Sequence, residues 1–227
     1  MNQRPQGHFT TFLNTRPIRG WQHHLHRLHR DARAFGSCLD MPLSLLDATL
    51  QPHLAALPSD PCVVRITAYK DTVEVSTREL PARCGAPINH VEEITYRRYY
   101  ASEKHTDIQP VRELVAAARS RGHDDIVFRC PETGELTEGS FWSLVVIRGG
   151  QVRIPASPDI LPSTTVALLR EQTPQLGWQP EHVFRLSDYD GAVALNAVHG
   201  VRQIGAARRS AQQMIDTLTR QWQHPPS

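Results

Sequence analysis

The chain has 227 residues, a formal net charge of +2 and 21% charged residues. It is long enough to bury a core in one domain or two small ones, and it offers no strong field for nucleic acid or an acidic membrane. No apolar run approaches the roughly 20 residues of a spanning helix; the start Met1-Asn2-Gln3-Arg4-Pro5 is not that of a signal peptide; and Cys38, Cys62, Cys84 and Cys130, scattered without metal-type spacing, read as free thiols of a reducing cytoplasm.

In chain order, residues 8–14 (His8-Phe9-Thr10-Thr11-Phe12-Leu13-Asn14) are rich in β-branched and aromatic types and predict a strand. A turn with Pro17 and Gly20 follows. Leu25, Leu28, Ala32 and Phe35 then make one apolar stripe of a helix from Trp21 to Phe35, ended by Gly36. Residues 43–56 predict a second helix. Cys62–Tyr69 and Thr72–Thr77 predict a hairpin about Lys70-Asp71, closing an N-terminal α+β unit near residue 90. Residues 91–103 read as an extended approach containing Arg97-Arg98-Tyr99-Tyr100. Val111 to Arg121 predicts a helix with Leu114, Val115 and Ala118 on one face, stopped by Gly122. Strands are expected at 125–130, 143–148, 151–154, 182–186 and 192–196, with a helix at 164–171. A last amphipathic helix should run from about Arg208 to Trp222, with Pro225-Pro226 preventing its continuation. The strand-dominated second half suggests a barrel-like α+β domain.

Chemistry-bearing residues are spread along this frame. Glu103-Lys104-His105-Thr106-Asp107 precedes a helix, and Thr137-Glu138-Gly139 follows at an expected strand-to-strand turn 34 residues on. Alone, either would be a solvated surface group. A nucleophilic lysine must be partly desolvated so that its amine is neutral near pH 7. His23, His24, His26 and His29 have no cysteine or carboxylate partner at a standard offset, so no metal is expected.

Taken in order, these segments resemble the fold-type IV pyridoxal 5'-phosphate enzymes, among them branched-chain and D-amino-acid aminotransferases and 4-amino-4-deoxychorismate lyase. The resemblance makes Lys104 the Schiff-base lysine and Glu138 the partner of the pyridine nitrogen. Ile160-Leu161-Pro162-Ser163-Thr164-Thr165 is similar to the family's Leu-Pro-Gly-Ile-Thr, which puts Leu161, Thr164 and Thr165 on the cofactor and its phosphate. His24-Leu25-His26-Arg27-Leu28 matches His-x-x-Arg-Leu and makes Arg27 the phosphate cation. The segment Val193–Arg202 resembles Thr-Asn-Ser-x-x-Gly-Val-x-Pro. It brings Asn196 and Ala197 to the cofactor, with no hydroxyl at Ala197 and only Asn196 or a backbone amide to compensate. His8-Phe9-Thr10-Thr11 resembles the strand lining the substrate, so Thr10 and Thr11, with Arg98, are expected on that side. Ser143 and Ser163 stand where the family has asparagine and glycine.

The implied fold is α+β, two-domain fold-type IV, like D-amino-acid aminotransferase. A small N-terminal α+β domain spans 1–94. A larger barrel-like domain spans 95–227 and carries the lysine, with the cofactor between the two. The resemblance also implies a cytoplasmic homodimer, and a chain that begins inside the family's first sheet without the hairpin preceding His8. The leading expectation is a pyridoxal 5'-phosphate-dependent class IV aminotransferase acting on amino and keto acids. His-Phe-Thr-Thr, the Lys104-His105 pair, and Gln109 where branched-chain enzymes place tyrosine keep open a 4-amino-4-deoxychorismate lyase-like enzyme releasing pyruvate. A degenerate, non-catalytic family member is the second alternative. No nucleic-acid or membrane partner is expected.

Overall fold

The computed structural model describes residues 5–224, so most of the start read as not a signal peptide and the Pro225-Pro226 stop lie outside the described residues. Contacts divide the chain into two units, Met1–Cys84 with Glu103–Ile108, and Gly85–Ser102 with Gln109–Ser227. The expected boundary at residue 94 assigned the lysine to the C-terminal domain; by contacts, the segment that carries it groups with the first unit.

The first unit contains β1 (His8–Leu13), α1 (Trp21–Phe35), α2 (Leu43–Ala55), β2 (Val63–Ala68) and β3 (Val73–Arg78). The strands form an antiparallel sheet in the order β1-β2-β3, with His8 opposite Ala68 and Leu13 opposite Val63. The predicted hairpin closes at Lys70-Asp71, where the Tyr69 N–H donates to the Thr72 carbonyl at 2.9 Å. Phe12, Leu25, Leu28, Leu46, Leu50, Val64 and Ile66 are buried together in this unit's core. Each such side chain contributes about 1.5–3 kcal/mol by leaving water.

Helix α1 ends at Gly36, whose φ of +58° permits its N–H to reach the Ala32 carbonyl. Its buried face is wider than the apolar stripe: His24, Arg27 and Asp31 are buried beside Leu25, Leu28 and Ala32, while Phe35 is only partly covered. The free edge of β1 is occupied as well. The Phe9 N–H donates to the Lys104 carbonyl at 2.8 Å, the Thr106 N–H donates to the Gly7 carbonyl at 2.9 Å, and His8 bridges His105 in antiparallel fashion. The lysine segment therefore lies along β1 as a short extra strand.

The second unit contains two sheets. In the first, β4 (Val91–Thr95) runs parallel to β5 (Asp125–Arg129), and β5 pairs antiparallel with β6 (Leu136–Gly139). Helix α3 (Gln109–Ser120) sets Val111, Val115 and Ala118 against Ile126 and Phe128. Two expectations change here. The extended approach becomes β4. Thr137-Glu138-Gly139 lies within a buried strand rather than a turn, because the reversal is completed earlier, where Gly134 donates to the Cys130 carbonyl and Cys130 to the Glu135 carbonyl.

The second sheet has the order β11-β10-β7-β8-β9, built from β7 (Ser143–Arg148), β8 (Gln151–Pro155), β9 (Gln179–Glu181), β10 (Gly191–Asn196) and β11 (Gly200–Ile204). The strand expected at 182–186 is absent from this sheet. Pairing stops at Glu181, and Val183 anchors a loop, its side chain fully buried and its carbonyl accepting the Leu136 N–H. Alternation along β7 sends Val145 and Ile147 toward α4 (Thr164–Gln172) and α5 (Arg209–Gln223), and Leu144 and Val146 toward Val127, Leu136 and Trp142. The central strand is thus buried on both faces.

Two glycines are imposed by tryptophans. A Cβ on Gly139 would stand 1.9 Å from the Trp142 ring, and one on Gly200 would stand 2.2 Å from Trp222 Nε1. Gly200 also has a φ of +69°. Gly200→Ala should therefore lower stability by about 2–4 kcal/mol, combining left-handed strain with overpacking. A urea unfolding midpoint unchanged from wild type would contradict this.

Candidate active site

In the first unit, Lys104 is held through both of its peptide groups. Its N–H donates to Asp31 Oδ2 at 3.0 Å, and its carbonyl accepts the Phe9 N–H at 2.8 Å. Its ammonium lies 5.0 Å from the centre of the Phe9 ring, whose other cationic neighbour is the Arg65 guanidinium at 3.7 Å. Arg27 is buried on α1, one turn before Asp31. Asp31, wholly buried, is paired through Oδ1 with the Arg30 guanidinium at 2.7 Å.

His24 lies among these groups. Burial first, then the positive charges of Arg27, Lys104 and His23, push its pKa well below the ordinary histidine value. It is therefore a neutral ring at pH 7, and its Nδ1 shares a 2.6 Å hydrogen bond with Thr10 Oγ1. The resemblance puts Thr10 on the substrate side; its hydroxyl is buried and engaged by α1. Thr11 is partly exposed, and its Oγ1 finds no protein partner among the described residues. Sequence reasoning passed over His24 and Asp31, although their spacing with Arg27 at i, i+3 and i+7 marks one helix face.

In the second unit, Glu138 is buried. One carboxylate oxygen accepts Arg98 Nε at 3.1 Å and pairs with its terminal nitrogen at 3.0 Å; the other accepts the Leu161 N–H at 3.0 Å. Arg98 also donates to the Ala101 carbonyl. The resemblance puts Arg98 on the substrate side; its guanidinium is the partner of Glu138. Its chain neighbour Tyr100 has a φ of +51°, a conformation that costs a non-glycine residue roughly 1–3 kcal/mol.

At the start of α4, Ser163 Oγ accepts the Val166 N–H at 3.2 Å, so the serine in place of the family's glycine serves as the N-cap. Thr164 and Thr165 are buried on the first turn, and Thr165 Oγ1 has no protein partner among the described residues. Asn196 is committed to the β10–β11 turn: its Oδ1 accepts the Val198 and His199 N–H groups, and its Nδ2 donates to the Phe141 carbonyl at 3.2 Å. The Ala197 methyl packs against the core beside α4 and α5. Cys130, Glu132 and Asp159 bring three potential metal ligands within 4.8 Å of one another, but Arg97 pairs with both carboxylates, at 3.2 and 3.0 Å.

The sequence pattern of the amino-transferase class IV family matches residues 7–207. No protein of curated function matches the chain. Solved structures do. A provisionally assigned 4-amino-4-deoxychorismate lyase is 21% identical, with 95% of this chain and 90% of that one covered at a TM-score of 0.75. A hypothetical aminotransferase from Mycobacterium tuberculosis in its PLP-bound form is 18% identical, with 96% and 89% covered and a TM-score of 0.73. A branched-chain aminotransferase from Thermoproteus uzoniensis with norvaline is 19% identical, with 94% and 84% covered and a TM-score of 0.76. At these identities the likeness establishes a common fold.

His8 carries a pH prediction. Desolvation lowers its pKa to about 4, against an opposing pull from Asp31. Its folded value is below the unfolded one, so the stability it contributes is complete above about pH 6.5 and is lost as pH falls toward 4. His8→Phe keeps the stack on Phe35 and removes a ring whose nitrogens have no protein partner among the described residues. The variant should lose less stability than wild type between pH 6.5 and 4.5 in urea titrations. Parallel pH profiles would refute this.

Proposed function

We propose that this chain, which belongs to the class IV aminotransferase family, is a pyridoxal 5'-phosphate-dependent transaminase moving an amino group between an amino acid or amine and a keto acid. The observation that carries the reading is the buried Thr165 hydroxyl on the first turn of α4, with no protein partner among the described residues. A helix start with a buried, unfilled polar atom suits a phosphate dianion, so the residues present fit the cofactor. Bound, that cofactor would supply an electrophilic aldehyde and a ring able to take up the electrons left on the substrate's α-carbon.

The chain's own residues then have distinct tasks. Lys104 Nζ would hold the cofactor and would be the base that accepts the substrate's α-proton. Glu138 keeps the proton on the ring nitrogen. Its carboxylate has about four acceptor positions, so Arg98 and Leu161 can hold it oriented while it accepts one more hydrogen bond. Arg27 supplies the cation for the phosphate, and Thr164 and Thr165 with the opening of α4 supply donors. Ala197 brings no hydroxyl, and Asn196 serves its own turn, which leaves more of the phosphate affinity to Arg27.

Support for an amino/keto pair comes from the Mycobacterium tuberculosis protein of the same fold, which is also known with alpha-ketoglutarate and PMP. A homodimer working in the cytoplasm completes the reading, in keeping with the free cysteines and with the absence, among the described residues, of a helix long and apolar enough to cross a membrane. The lyase reading keeps its support in the buried His105 beside Lys104 and in Gln109. Pyruvate release from aminodeoxychorismate, without any keto acid acceptor, would select it.

The purified protein should show a visible absorbance band that borohydride abolishes, and peptide mapping should then find the reduced cofactor on Lys104. A label on Lys70, or no band after reconstitution, would sink the proposal and leave the non-catalytic alternative. Glu138→Gln should retain cofactor yet lose turnover by roughly ten- to a hundredfold or more, as expected for removing a charged hydrogen-bond partner. Near-normal turnover would remove Glu138 from the site.

A further inference from the structure

Asp31 is a wholly buried carboxylate that the reaction described above does not use. A charge in that position persists only when its lone pairs are taken up. One oxygen is held by Arg30; the other reaches across to the Lys104 backbone N–H at 3.0 Å, 73 residues away in sequence. We propose that Asp31 is a positioning residue that fixes the Lys104 peptide and thereby sets the reach of its amine, an inference that rests on the proposed role of Lys104.

Four observations support a positioning task. The Lys104 carbonyl is separately fixed by Phe9, so with Asp31 the peptide is pinned on both sides and only side-chain torsions remain to place Nζ. Asp31 shares its helix face with Arg27, the proposed phosphate cation, and four residues of α-helix advance about 6 Å. One rigid element therefore spaces the phosphate anchor from the residue that locates the covalent anchor. The bond also joins two segments the chain does not connect locally, since Lys104 arrives on a loop whose flanks belong to the other unit. Finally, Arg30 has only one of the two Asp31 oxygens, so salt-bridge formation alone leaves the contact with Lys104 unexplained.

The test compares two cofactor forms on the full-length protein. Pyridoxal 5'-phosphate has an aldehyde: the Lys104 amine adds to its carbon, a C=N bond forms and water leaves. Pyridoxamine 5'-phosphate has the same ring and phosphate but an amine, and cannot condense with lysine. A residue that positions Lys104 matters for the first and not for the second, whereas structural damage weakens both. In equilibrium dialysis, Asp31→Ala should weaken pyridoxal phosphate binding roughly tenfold or more, the effect of losing a charged acceptor. Pyridoxamine phosphate binding should stay within about twofold of wild type. Arg27→Ala should weaken both forms alike. Asp31→Asn, which keeps a carbonyl acceptor, should bind pyridoxal phosphate within about threefold of wild type.

Equal losses of both forms in Asp31→Ala, or no loss of either, would overturn the inference while leaving the proposed function standing. A selective loss in Asp31→Asn as large as in Asp31→Ala would overturn it too, because charge rather than acceptor geometry would then be at work. If Asp31→Ala does not fold, amide exchange decides with Asp31→Asn: the Lys104 N–H should be protected in wild type and in the variant, and fast exchange in wild type would refute the contact. A wild-type protein that binds neither form defeats the proposed function and this inference together.

Discussion

A helix that turns a histidine, an arginine and an aspartate into a protein interior incurs a desolvation cost that only specific partners can offset. In α1 those three residues sit beside the leucines that hold the helix to its sheet, so apolar burial keeps the polar face in place. The polar contacts of α1 in the first unit follow from that arrangement. His24 stays neutral because it is dry and flanked by positive charge, Thr10 is drawn inward to it, and Asp31 reaches the Lys104 peptide. If the leucine stripe loosened, the polar residues would regain water and lose the reason for their pairing.

The second unit has a buried charge of its own. Glu138 has both oxygens engaged, by a guanidinium from the segment after β4 and by a backbone amide from the approach to α4. Two distant stretches are thereby tied to one strand. Gly139 follows immediately and must lack a side chain because the Trp142 ring occupies the space. The Thr-Glu-Gly sequence thus has a packing reason for its glycine, and its glutamate ties two distant stretches to the strand.

Periodicity made much of the frame legible. The helices of both units and the strands β1, β2, β3, β5, β7 and β8 lie within a residue or two of where apolar spacing puts them, because each buries a regular face. The failures have a common cause in tertiary context. Val183-Phe184 looks like a strand, but it is covered as a loop because its carbonyl is claimed by Leu136. Val91–Thr95 reads as part of an extended approach, and becomes β4 because β5 offers it a parallel partner. Among candidate site residues, Lys104, Arg27 and Glu138 are proposed from motif and order, and the fold buries Arg27 and Glu138. Nothing local to Arg98 shows that its partner lies 40 residues downstream, and a charged helix residue such as Asp31 ordinarily reads as solvated, so neither contact is legible in the sequence.

The lysine segment's place along β1 also bears on how the chain is made. Residues 104–106 complete an edge laid down almost a hundred residues earlier, and they leave the ribosome only after β4 has been synthesised. Until then β1 presents an open row of backbone donors and acceptors, the arrangement that invites pairing with foreign strands. Vectorial synthesis therefore finishes the first unit late, with a stretch that follows β4, and the nascent protein cannot close its own exposed border before that stretch is made.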